Sequence, residues 1–76
     1  MEIVDVFQMK GDTFLYCVGE EIKKGFSCRR ISVEGKQFDI EASEVNTSIS
    51  GCRSLVLKVK KPIKQGLRIG KIDSYE

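Results

Sequence analysis

Residues 27–45 read SCRRISVEGKQFDIEASEV, and this stretch decides the fold. At its centre, Glu34-Gly35-Lys36 forms a tight hairpin turn, because Gly accepts a positive φ where a Cβ would clash. Beyond the turn, Phe38, Ile40 and Ala42 fall on one face, and Gln37, Asp39 and Glu41 on the other. Period 2 with a polar outer face predicts a half-buried antiparallel strand over 37–45. Before the turn, residues 27–33 supply its partner strand, with Arg29, Ile31 and Val33 on one side. Glu and Ala favour helices, so a helix over 38–46 is the competing reading. The Phe-x-Ile alternation that follows directly on the turn outweighs it.

The same grammar extends both ways. Residues 2–9 (EIVDVFQM) are β-branched and aromatic and read as a strand. Lys10-Gly11-Asp12 is a turn, and residues 13–19 (TFLYCVG) are its hairpin partner. Phe14, Tyr16 and Val18 share one face of that strand and Leu15 and Cys17 the other, so both faces are expected to be covered at least in part. Residues 20–25 (EEIKKG) close this unit with a charged turn. Residues 46–51 (NTSISG) read as a loop, and 53–60 (RSLVLKVK) as a strand with Leu55, Leu57 and Val59 inward and Lys58 and Lys60 outward. Pro62 cannot donate to a ladder and ends that strand near Lys61. Ile63-Lys64-Gln65-Gly66 is a further turn, residues 67–72 (LRIGKI) are the last strand, and 73–76 form a frayed tail.

Six short strands and no helix in 76 residues predict one all-β domain over 1–76, a small closed or nearly closed six-stranded antiparallel barrel. Closure removes edges that would otherwise invite aggregation. So short a chain buries only about 60% of its unfolded surface, leaving a marginal core. Phe38, Ile40, Leu55, Leu57 and Val59 are expected to line it, with Tyr16 and the four Phe residues assigned to the core rather than to a stacking platform.

The arrangement resembles the second domain of elongation factor Tu and related translation GTPases. Val4-Asp5-Val6-Phe7-Gln8-Met9-x-Gly11 is similar to that family's opening strand, V-x-D-x-F-x-I-x-G. Val18-Gly19 through Ile22-Lys23-Lys24-Gly25 resembles its second strand and the I-x-x-G turn that follows. Leu55-Val56-Leu57-Lys58-Val59 resembles the apolar fifth strand, and Ile63-Lys64-Gln65-Gly66 through Ile69-Gly70-Lys71-Ile72 the closing turn and strand. The stretch from Val59 to Gly66 also looks like the barrel that ends some peptidases of the U32 family. The resemblance implies a translation-factor domain-2-like barrel. It does not bring GTP binding, since no G-x-x-x-x-G-K-[ST] loop is present, and no residue that holds an aminoacyl-tRNA end can be placed on this chain.

Composition narrows the chemistry. There is no His, so His-based triads and the usual mixed zinc sites are excluded. Cys17, Cys28 and Cys52 form no C-x-x-C pair and read as small hydrophobes of a reducing compartment. Arg29 and Arg30 beside Cys28 leave a reactive thiol there as an alternative. Asp39 and Glu41 lie two apart on one strand and read as a solvated face rather than an acid/base pair. No apolar run approaches the ~20 residues of a membrane span, and MEIVDVFQMK has no apolar leader region, so a cytoplasmic protein is expected. The sequon Asn46-Thr47-Ser48 is discounted on that ground.

Charge is the asymmetric feature. Residues 1–44 carry six basic and nine acidic side chains, and residues 45–76 seven basic and two acidic. The basic set is Arg53, Lys58, Lys60, Lys61, Lys64, Arg68 and Lys71, with no acid between Val45 and Ile72. It reads either as a solvated surface with edge-protecting lysines or as an anion-binding face for RNA or ribonucleoprotein. Only Tyr75 is aromatic in this half, so RNA contact there would be mainly to phosphate. The expected function is a non-enzymatic binding module without cofactor or metal, taking either RNA through the 53–71 face or a protein partner beside which it docks.

Overall fold

The computed structural model describes residues 1–60 and 67–76. Its elements are β1 (Glu2–Met9), β2 (Asp12–Val18), β3 (Arg30–Val33), β4 (Lys36–Thr47), β5 (Arg53–Val59), β6 (Gly70–Lys71) and β7 (Ser74–Tyr75), with no helix among the described residues. The helical alternative over 38–46 is therefore excluded. All pairings are antiparallel, in the order β6-β1-β2-β5-β4-β3-β7.

Two hairpins anchor the order. Lys10 and Gly11 have φ of 52° and 82°, and Glu34 and Gly35 have 52° and 81°. Consecutive positive φ values are the signature of type I′ turns, whose twist matches that of the strands they join. The register then builds rows that cross four strands. Ile3, Cys17, Leu55 and Val45 lie side by side, as do Val6, Leu15, Leu57 and Ser43, and Gln8, Thr13, Val59 and Ile40. These rows face inward: Ile3, Leu15, Cys17, Leu55, Leu57 and Val59 are all but inaccessible. Ile31 and Val33 of β3, Ile22 and Cys28 of the 19–29 segment, and Ile72 complete the core. Leu55, Leu57 and Val59 are thus as expected, while Phe38 and Ile40 pack against the core only partly buried.

Several expectations are corrected. The sheet has seven strands among the described residues and curls into a half-barrel, not a closed six-stranded barrel. β1 and β3 do not pair; the terminal segment Gly70–Tyr75 instead reaches from the β1 edge to the β3 edge. The tail over 73–76 is not frayed. Asp73 N–H donates to the Ser32 carbonyl at 2.8 Å, Glu76 N–H to Arg30 at 2.9 Å, and Arg29 N–H to Glu76 at 2.7 Å. These bonds satisfy a β3 edge that would otherwise be unpaired. The strand expected over 67–72 is short, Gly70–Lys71, and a seventh strand, Ser74–Tyr75, follows it.

The third strand starts at Arg30 rather than at 27, so Arg29, which is exposed, lies before it and does not share a strand face with Ile31 and Val33. Residues 19–29 fold under the sheet, with Phe26 N–H bonded to the Lys23 carbonyl and Ile22 buried. A bulge between Ile40 and Ala42 reverses the parity of β4. Ala42 therefore turns outward, and Ser43 and Val45 take the inward positions. The expected turn at Pro62 and the Ile63–Gly66 turn lie outside the described residues.

Leu57 is fully buried in the middle row. Leu57→Ala should cost about 2–5 kcal/mol in denaturant unfolding, whereas Ile49→Ser, at a fully exposed loop position, should change stability by no more than about 0.5 kcal/mol. Glu34 holds a left-handed conformation that Asn tolerates better. Glu34→Asn should therefore raise stability by up to about 1 kcal/mol in the same measurement.

Candidate functional site

The outward positions of the four-strand ladder form two rows. Phe7, Phe14, Lys58 and Ala42 are neighbours in one, and Asp5, Tyr16, Val56 and Glu44 in the other. The Phe7 and Phe14 rings stack at 5.4 Å with an interplanar angle of 14°. Tyr16 is 37% exposed, and Met9, two residues beyond Phe7 on β1, is 56% exposed. None of the four Phe residues is among the fully buried side chains. The assignment of the aromatics to the core is thus corrected for Phe7, Phe14 and Tyr16, which stand on the outer surface. Phe26 meets Tyr75 edge to face at 5.4 Å, and Phe38 packs against the core.

Sequence alone does not reveal this, because β2 is apolar on both faces and its parity names no inside. The clue it holds is the alignment of Phe7 with Phe14 across a two-residue turn, a pair that must share a face whichever face that is.

The electrostatic frame of this patch is acidic. Asp5 and Glu44 end one row, Asp12 lies opposite Met9, and Glu41 is the bulge residue beside Ala42. Lys58 is the one cation within the two rows. Its Nζ lies 3.5 Å from Glu41 and 3.7 Å from Asp12. Such half-exposed pairs contribute about 0–1 kcal/mol each, but they neutralise the cation. Asp39 and Glu41 do not form a carboxylate pair: Asp39 bonds Arg30 at 3.0 Å, and Glu41 is taken by Lys58.

The other described cations of the set are dispersed. Arg53 opens β5 opposite Thr47 and is exposed. Lys60 follows the far end of β5, about 23 Å away at ~3.3 Å per residue, and its N–H donates to the Asp39 carbonyl. Arg68 is exposed before β6. Lys71 lies opposite Glu2 on the β6 edge, three strands from β5. Lys61 and Lys64 lie outside the described residues.

A groove runs beside β4 on the concave side, between Lys24–Ser27 and Ser43–Thr47, with Arg53 at one end. Among the described residues, no group of three His, Cys, Asp or Glu side chains is placed to hold a metal ion. None forms a helix long and apolar enough to cross a membrane.

The three cysteines are free, and Cys52 is exposed rather than packed inside. Burial pushes the Cys17 thiol up to about 12, with Cys28 nearby adding to the shift. Burial also raises Cys28, despite the arginines that follow it. The Glu21 carboxyl is held below its ordinary range by its own backbone N–H and by the terminal ammonium of Met1, 3.0 Å away. Under native conditions at pH 8, alkylation should therefore label Cys52 quickly, and Cys17 and Cys28 only after unfolding, as read by mass spectrometry of the labelled peptides. Because its folded pKa is raised, Cys17 stabilises the fold fully below about 9, and that contribution should fade as pH rises toward 12.

No family model, no curated protein and no solved structure matches the chain.

Proposed function

We propose that this chain is a non-catalytic binding module that docks a protein partner on the outer face of β1, β2, β5 and β4. The observation that carries the reading is the stacked Phe7–Phe14 pair with exposed Tyr16 and Met9, set within Asp5, Asp12, Glu41 and Glu44. Exposed aromatics of this kind are enriched at protein interfaces, where a rigid ring supplies contact area at low entropic cost. An aromatic sheet face can also stack nucleic-acid bases, but such faces are bordered by cations. Here four carboxylates surround one cation that two of them already engage, so a phosphate backbone would be repelled. A partner with apolar and basic side chains suits the face.

The second reading is RNA contact through Arg53, Lys58, Lys60, Lys61, Lys64, Arg68 and Lys71. The excess of seven basic over two acidic residues in 45–76 favours it, and the separation of the described members weakens it. The likeness to the second domain of elongation factor Tu supports a docking role for so small a barrel-like sheet, since that domain works attached to larger machinery. The three free thiols suit the reducing cytoplasm.

Affinity capture with the tagged chain, identifying both protein and RNA, tests the reading. A protein should be recovered, should stay bound as salt rises, and should be lost with Tyr16→Glu, a substitution at an exposed position that leaves the fold intact. RNA recovery that falls by orders of magnitude between low and moderate salt, and is abolished by Lys58→Glu with Lys60→Glu, would establish the second reading instead.

A further inference from the structure

β4 is paired on both sides only over its first part. β3 pairs with Lys36–Asp39, and the Ile40 N–H donates to the Arg29 carbonyl. From Ala42 to Thr47, β5 occupies one edge, and nothing among the described residues occupies the other. Alternate N–H and C=O groups along this edge point away from β5, and no described residue bonds them. The bulge at Glu41 interrupts the edge at its start, which is how native sheets blunt an edge, but it leaves six consecutive residues regular.

We infer that this edge is a strand-addition site for an extended segment of a partner protein in which basic and apolar residues alternate. The inference rests on the reading of the chain as a protein-binding module, but not on its aromatic face.

The side chains define the occupant. On the concave side the edge presents Ser43, Val45 and Thr47, two of them small polar residues and all three no larger than Val. Phe26 stands across the groove. An added strand would place alternate apolar side chains in that space. On the convex side it presents Ala42, Glu44 and Asn46, with Glu41 at the bulge. The sequence has no Lys or Arg between Lys36 and Arg53, and Asp39, Glu41 and Glu44 within that span. A residue opposite Glu44 is therefore selected to be Lys or Arg, since opposite charges facing across an antiparallel pair stabilise it and like charges destabilise it.

The same rule disfavours a second copy of this chain. Two β4 edges meeting antiparallel would bring Glu41 and Glu44 of one near those of the other, with no cation between them. At the Thr47 end, Arg53 and Lys24 flank the groove and select an uncharged or acidic residue there. The resulting pattern is apolar–basic–apolar followed by a neutral end, held mainly by main-chain hydrogen bonds.

The probe is a capped, fluorescent peptide in which Val alternates with Lys, with a Ser–Asp end. It is compared with a Glu-for-Lys version and with a version carrying Pro at the Val positions. Fluorescence anisotropy should show saturable binding of the first, with the charge-reversed and Pro-containing peptides weaker by about tenfold or more. Glu44→Lys should reverse the preference between Lys and Glu peptides, and Ser43→Lys should block binding by filling the concave side. Native-state hydrogen exchange should slow across 42–47 when the Lys peptide is present. Tyr16→Glu should leave peptide affinity within about twofold. Absence of binding, equal binding of the Pro peptide, or unchanged exchange over 42–47 would overturn the inference. Peptide binding lost with Tyr16→Glu and kept with Glu44→Lys would overturn it too, while leaving the aromatic docking face standing.

Discussion

The curvature of the sheet turns on the bulge in β4, where the register with β5 shifts between Ile40 and Ala42. A regular twelve-residue strand would keep one parity and lie in one ladder. The extra residue, Glu41, bends the strand, so that its first third pairs with β3 and its remainder with β5. That bend lets a single sheet curl around Leu15, Leu55 and Leu57 and bring Ile31 and Val33 over them. It also turns Ala42 outward and Val45 inward, and beyond it no described residue pairs with β4 on its β3 side. Bulges raise local twist and recur where a sheet must curve or end its pairing, and this one does both.

Curvature divides the apolar residues unequally. The inner rows hold aliphatic side chains and a cysteine, which fit a concave surface of small radius. The larger aromatic rings Phe7, Phe14 and Tyr16 occupy the convex surface, where the strands splay and rings find room to lie flat. A 76-residue chain cannot enclose both sets. The consequence is a surface with a hydrophobic centre and an acidic border, the face on which the proposed docking role rests. The same enclosure desolvates Cys17 and Cys28 and so disfavours their thiolates.

The net charge of +2 conceals an internal division that folding rearranges. In the chain, the acids crowd the first 44 residues and the bases the last 32. In the sheet, β5 lies between β2 and β4, so Lys58 is inserted between Asp12 and Glu41. Lys71 is carried across to Glu2 at the opposite edge. Among the described residues, the linear block of positive charge is thus divided between separate strands. Electrostatic arguments from a linear charge count hold only where the topology keeps the block together.

Local signals in the chain specify the two hairpins and the inner side of β5. Lys10-Gly11 and Glu34-Gly35 specify two-residue turns, and the alternation Leu55-Val56-Leu57-Lys58-Val59 specifies which side of β5 is inside; both are local signals that no tertiary contact needs to complete. The tertiary structure alone decided which face of β2 is buried, because Phe14, Leu15, Tyr16 and Cys17 are apolar on both sides. It decided that Ala42 faces out, since a bulge depends on how the two halves of a strand find different neighbours and leaves no mark in the alternation before it. It decided that Ser74–Tyr75 is a strand: a short polar segment has no propensity of its own and pairs because β3 presents unpaired amides. The candidate surfaces fall into this second class. The aromatic face and the open β4 edge exist because strands distant in the chain are laid side by side, and only long-range pairing creates them.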